Sequence, residues 1–286
     1  MIPWYVYIII ASACASITSI YRKKTLFTVH ALEFTSFRAI TTLVLVGITG
    51  FFVDLTIEPT QAMFIFILAA LTTLGIITRN HVVRHADLSV VAPLGGIMNF
   101  FVLLLAIVYL KEIPSATKFI GLSITVIGIL VLQYQTSLKE TVHSITKKKV
   151  FRQFIFALIL FAISTVGVRQ VLLTLSPFTL LFYFWLFIGI QTLLIEVIFF
   201  GLGDLKDFKK EGKKIIFISI FMYIFNLLMY IGMSFPEAQV ALTRTLSGIG
   251  TVFVTFAGGR LFNEGHLLKK TIASIIIVLG SMLIIL

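Results

Sequence analysis

The sequence falls into apolar blocks of roughly 18 to 25 residues, the length a helix needs to cross the hydrocarbon core of a bilayer. Ten such blocks can be drawn, at roughly 3–20, 33–54, 60–78, 87–110, 116–134, 153–172, 177–200, 215–233, 238–262 and 269–286. Short loops bearing Pro, Gly or charge separate them, and only Gln135–Arg152 and Gly201–Lys214 are long connections. Of the 286 residues 59% are hydrophobic and 12% charged, whereas a soluble domain carries about 25% charged residues. A soluble chain of this length keeps too much surface to hide that apolar excess. The expectation is an all-α integral membrane protein of ten transmembrane helices.

The formal charge of +11 does not point to nucleic acid. The basic residues sit in short clusters between apolar blocks, where they meet lipid headgroups or set orientation, and form no basic stripe with interleaved aromatics. Cys14, the one cysteine, excludes an intrachain disulfide and any cysteine-built zinc site. His30, His81, His85, His143 and His266 fall in or beside loops without metal-ligand spacing. The first block has no positive residue before it and Arg22-Lys23-Lys24 after it, so it reads as a membrane helix rather than a cleaved leader.

An internal repeat supplies the first hint of function. Shifting the chain by 152 residues aligns 86–132 with 238–284 without a gap, and twelve of the 47 positions are identical. Leu, Ile and Val match by composition alone, but Glu112/Glu264, Lys118/Lys270 and Gly128/Gly280 do not. The expected division is a first five-helix repeat over 1–138, a basic linker over 139–152 with Lys147-Lys148-Lys149, and a second five-helix repeat over 153–286. An odd number of spans per repeat inserts the second upside down. Such inverted repeats suit carriers that expose a midplane site alternately to the two sides.

The residues around the repeat carry a resemblance. Ala86-Asp87-Leu88-Ser89-Val90-Val91-Ala92-Pro93 opens one span, Leu110-Lys111-Glu112 closes it, and Gly121 and Gly128 space the next. The second half reads Pro236-Glu237-Ala238-Gln239-Val240-Ala241, then Phe262-Asn263-Glu264, then Gly280. With Arg38 following Phe34-Thr35-Ser36-Phe37, the chain resembles the drug/metabolite transporter superfamily and its EamA-type ten-helix carriers. The second half departs from the pattern, with Thr245 at the proline position and Ala273 at the first glycine. The resemblance implies two five-helix halves around a central cavity, export or exchange of small polar metabolites without ATP, and no cofactor. Glu112 and Glu264 end their helices at short loops, where an acid suits the N-terminus of the next helix.

Charged and polar residues within a span are costly and therefore informative. Arg244, flanked by Thr243 and Thr245, can hold a carboxylate or phosphate with its planar fork of donors, or else snorkel or pair with an acid. Arg38 is a second candidate, with pairing to Glu33 as the alternative. Asn99, Gln191 and Asn226 are mid-span amides that bind substrate or bridge helices, and Tyr223, Tyr183 and Trp185 stack on a ring or simply pack. Glu196 is the acid deepest in an apolar run and the candidate for proton coupling. Ser12, Ser16, Thr18, Ser19, Ser164, Thr165 and Gly167 suggest close helix packing.

The expected partners are a small anionic or zwitterionic substrate (an amino acid, nucleotide or phosphate ester) and membrane lipids; no oligomeric state is implied. Lys and Arg concentrate in the loops after spans 1, 3, 5, 7 and 9, which by the positive-inside rule puts both termini outside. Relatives in the resembled family imply cytoplasmic termini instead. A lipid or lipid-linked sugar translocase on the same fold is the alternative. An intramembrane transferase would need clustered acids for magnesium and diphosphate, and an ATP-driven pump a GxxxxGK[ST] loop; neither is present.

Overall fold

Long apolar runs satisfy their backbone polar groups internally in lipid, which leaves the helix as the economical solution. The computed structural model describes residues 2–26, 29, 31–85, 97–133, 148–200, 205–250, 252–253 and 267–286, and no strand occurs among them. Ten helices follow one another in the described residues: α1 (Trp4–Leu26), α2 (Ala31–Gly50), α3 (Pro59–His85), α4 (Ile97–Leu105, continued by a π-helical turn over Ala106–Leu110), α5 (Ala116–Gln133), α6 (Lys148–Leu172), α7 (Pro177–Phe200), α8 (Leu205–Ser234), α9 (Val240–Ser247) and α10 (Leu267–Ile285). Large apolar side chains such as Val44, Met63, Val108, Val197, Ile198 and Met282 stand exposed around the bundle. A soluble monomer rarely tolerates so extensive an apolar surface; a lipid-facing one requires it.

Helix pairing carries the symmetry of the repeat. α1 packs on α8 and, equivalently, α6 on α3; α2 packs on α7, α5 on α10 and α4 on α9. α4 against α6 matches α9 against α1, and α3 against α7 matches α8 against α2. Exchanging the two sets of five helices therefore leaves this pattern of neighbours unchanged. Two glycines set the α5–α10 seam: a Cβ built on Gly121 would lie 2.8 Å from the Gly280 carbonyl, and one on Gly280 the same distance from the Gly121 carbonyl. The small residues of α1 serve packing in the same way. Ser16 Oγ donates to both the Ser12 and Gly250 carbonyls at 2.7 Å, while Ser12, Thr18 and Ser19 bond within their own helix.

Three helices run well past the expected spans, for physical reasons. α1 runs on to Leu26, α3 to His85, and α8 starts at Leu205. Hydropathy ends a span at its first charges, but Lys and Arg are good helix formers, so the backbone continues through them, and at the C-terminal ends of α1 and α3 the helix dipole favours them as well. The ninth span, expected as one helix over 238–262, is interrupted in its described part: α9 stops at Ser247, and Gly248 and Ile249 form a turn. Discontinuous helices of this kind leave backbone groups available at membrane depth. The start of the fourth span, the tail of the ninth, Glu264 and most of the 139–152 linker lie outside the described residues.

Candidate functional site

A cavity of about 230 Å³ lies between the two sets of helices. Four arginines line it: Arg22 from α1, Arg38 from α2, Arg79 from α3 and Arg244 from α9. Chain direction fixes their origins. The C-terminal ends of α1 and α3 and the N-terminal end of α2 meet at one end of the bundle, so Arg22, Arg79 and Arg38 enter from there. Arg244, one turn into α9, enters from the opposite end. Arg79 lies within electrostatic reach of each of the other three. No described carboxylate lines the cavity.

Two of these cations are poorly satisfied among the described residues. Arg38 is buried, its Nε has no hydrogen-bond partner, and its guanidinium carbon sits 5.4 Å from the centroid of the Trp185 ring. Arg244 Nη2 meets only the thioether sulfur of Met98 at 3.3 Å, and its Nε is likewise without a partner. The Trp185 indole N–H, also on the cavity wall, is a third buried donor with no acceptor. A buried donor left unmade is costly, so donors converging on one space describe the acceptor that would fill it. The rest of the wall mixes Phe161, Phe184, Phe225 and Tyr230 with Thr72, Ser164, Thr165 and Asn226. Thr72 and Ser164 bond each other at 2.6 Å across α3 and α6, and Asn226 Nδ2 donates to the Met222 carbonyl.

A fifth buried arginine has the opposite character. Arg169, on α6, is 2% exposed, and its Nε donates to Glu112 Oε1 at 2.9 Å. Its Nη1 donates to the Met233 and Phe235 carbonyls and its Nη2 to the Pro236 carbonyl, all at the C-terminal end of α8 where the helix dipole favours a cation. Glu112 Oε2 in turn accepts the Val240 backbone N–H at 2.7 Å, capping α9. Glu112 was expected to serve the next helix in the chain. It serves α9 instead, because α4 and α9 lie side by side and the chain turns sharply at Lys111, whose φ of 55° is left-handed. Gln239 reinforces the joint by donating to the Ile113 carbonyl at 3.2 Å.

Of the residues singled out in the sequence, the cavity gathers Arg38, Arg244, Asn226 and Trp185, together with Ser164 and Thr165, which were expected to serve helix packing. Thr243 is buried and bonds the Val240 carbonyl, Thr245 is buried with its hydroxyl unpartnered, and neither lines the cavity. Gln191 bridges helices, accepting from Thr73 and donating to the Phe66 carbonyl. Tyr183 donates to the Leu55 carbonyl at 2.7 Å, and Asn99 and Tyr223 are half-buried away from the cavity. Glu196 lies on α7, with its side chain outside the described residues, as is that of Glu33. Arg22 and Arg79 were missed because both fall just past the apolar blocks.

Residues 2–134 match the model of the EamA-like transporter family. An EamA-like transporter is a multi-pass membrane protein of the drug/metabolite transporter type, which agrees with the ten helices and their apolar exterior. No curated protein sequence matches the chain. A solved crystal structure aligns over 98% of this chain and 95% of its own with a TM-score of 0.74 and 15% identity. That likeness shows that the two chains share one fold over essentially their full length.

Proposed function

We propose that the protein is a secondary carrier of small anionic metabolites, working by alternating access between an inverted pair of repeats, 1–138 and 153–286, joined by the basic linker 139–152. The observation that carries this reading is the set of four arginines lining one membrane-embedded cavity without a described carboxylate among the lining residues. A zwitterionic cargo would want an acid for its ammonium group, and a neutral one would leave the guanidiniums unpaired. Carboxylates and phosphates match the planar fork of arginine. Arg38 and Arg244 bind the anion with Arg22 and Arg79, while Asn226, Tyr230 and the indole N–H of Trp185 orient the remainder. The protein is a transporter of the cell membrane rather than an enzyme.

The test is a thermal-shift screen of the purified protein against carboxylates, phosphate esters, amino acids, cations and lipid-linked sugars. A ligand bound only by the folded state raises the midpoint by mass action. Stabilisation by carboxylates or phosphates is expected. Stabilisation confined to cations, or to lipids and lipid-linked sugars, would sink the anion reading and favour a translocase.

A further inference from the structure

Resting on the anion-carrier reading, we propose that the protein is an obligatory exchanger whose cargo carries at least two negative charges: it reorients loaded, not empty. Alternating access passes through a state in which the cavity is shut from both sides. While the cavity is open, water solvates Arg22, Arg38, Arg79 and Arg244 and screens their mutual repulsion. Shutting it strips that water away and leaves four like charges in a medium of low dielectric, with no described acid on the wall to offset them.

The orphan donors sharpen the point. Arg38 Nε, Arg244 Nε and Trp185 Nε1 have no partner among the described residues, so an empty closed cavity would strand them as well as the charges. A monovalent anion would leave most of the excess in place. An anion with two or more charges and several acceptor atoms removes most of it, because it meets Arg244 from one end of the bundle and Arg22, Arg38 and Arg79 from the other. Arg169 is the internal control: its charge is matched by Glu112 and three carbonyls, so it places no demand on a ligand in any state that keeps the joint. Net uniport requires the empty carrier to return, and proton coupling requires a titratable acid in the cavity; the described wall favours neither.

Proteoliposomes holding the full chain test this. Labelled inorganic phosphate, glycerol 3-phosphate and citrate are each offered to vesicles loaded with the same unlabelled anion or with sucrose and a zwitterionic buffer. Valinomycin with potassium on both sides clamps the potential, so that charge build-up does not imitate a need for exchange. Uptake of at least one probe is expected to be roughly tenfold or more faster into loaded vesicles, as a barrier lowered by the counter-anion requires. Arg79→Gln and Arg244→Gln should both shrink that ratio by making the empty return easier. Equal uptake into loaded and sucrose-filled vesicles overturns obligatory exchange while leaving the carrier intact. A ratio unmoved by either substitution also overturns it, since the charge excess would not be its cause. No uptake of any probe into either kind of vesicle overturns the anion-carrier reading, and this inference with it.

Discussion

Arg169 and Arg244 are both arginines inside the membrane region, and the protein treats them in opposite ways. Arg169 has a carboxylate on its Nε and backbone carbonyls on both terminal nitrogens, whereas Arg244 meets one methionine sulfur and leaves its Nε bare. The first is a finished joint that ties α4, α6, α8 and α9 together. The second is an unfinished one, with a cavity where its partner would be. Buried charge as such therefore says little about function; the completeness of its partners separates structure from site.

The comparison can be broken most forcefully at the joint. Arg169→Met strands the half-buried Glu112 carboxylate and removes its partner carbonyls' donor, and should cost about 3 kcal/mol of stability, read as the largest fall in melting midpoint of any variant here. Adding Glu112→Gln should recover most of that loss while retaining an acceptor for the Val240 N–H. If the single substitution melts like wild type, Arg169 is not a structural residue.

Arg244→Gln should behave in the reverse sense. The ligand-free midpoint is expected to stay level or rise, because an unpaired desolvated cation has been removed. Affinity for the best stabilising anion should fall about 10- to 100-fold by calorimetry, the worth of a charge-assisted hydrogen bond. A ligand-free protein destabilised as severely as Arg169→Met would erase the distinction.

Trp185→Phe is a finer probe, since it keeps a ring under Arg38 and deletes only the orphan N–H. Anion affinity should drop about 3- to 10-fold with no loss of ligand-free stability. Unchanged binding would remove Trp185 from the donor set. Gln191→Leu should do least: its bonds join α7 to α3 away from the cavity, so about 0.5–1 kcal/mol of stability and no affinity is at stake. Altered anion binding in that variant would return Gln191 to the site.

The architecture was legible because ten apolar blocks and an ungapped repeat are one-dimensional signals. The site was legible only in part. Arg22 and Arg79 sit where hydropathy ends a span, and only the continuation of α1 and α3 shows them to be inside. Thr243 and Thr245 looked like companions of Arg244, but successive helical residues point about 100° apart, and both turn into packing instead. Arg169 stands on α6 and Glu112 in the turn after α4, far apart in the chain, and no local pattern announces that they meet. The expected cap on Glu112 failed for the same reason: sequence names the next helix, whereas packing chooses the adjacent one.

The glycine contact between α5 and α10 has a mechanical reading. With backbone where a side chain would stand, Gly121 and Gly280 leave the two helices no lateral freedom, although they come from opposite repeats. Two rigid bodies fastened along one line can only turn about it. In the alternating access proposed above, that seam would act as the axle, with the helices farthest from α5 and α10 travelling most.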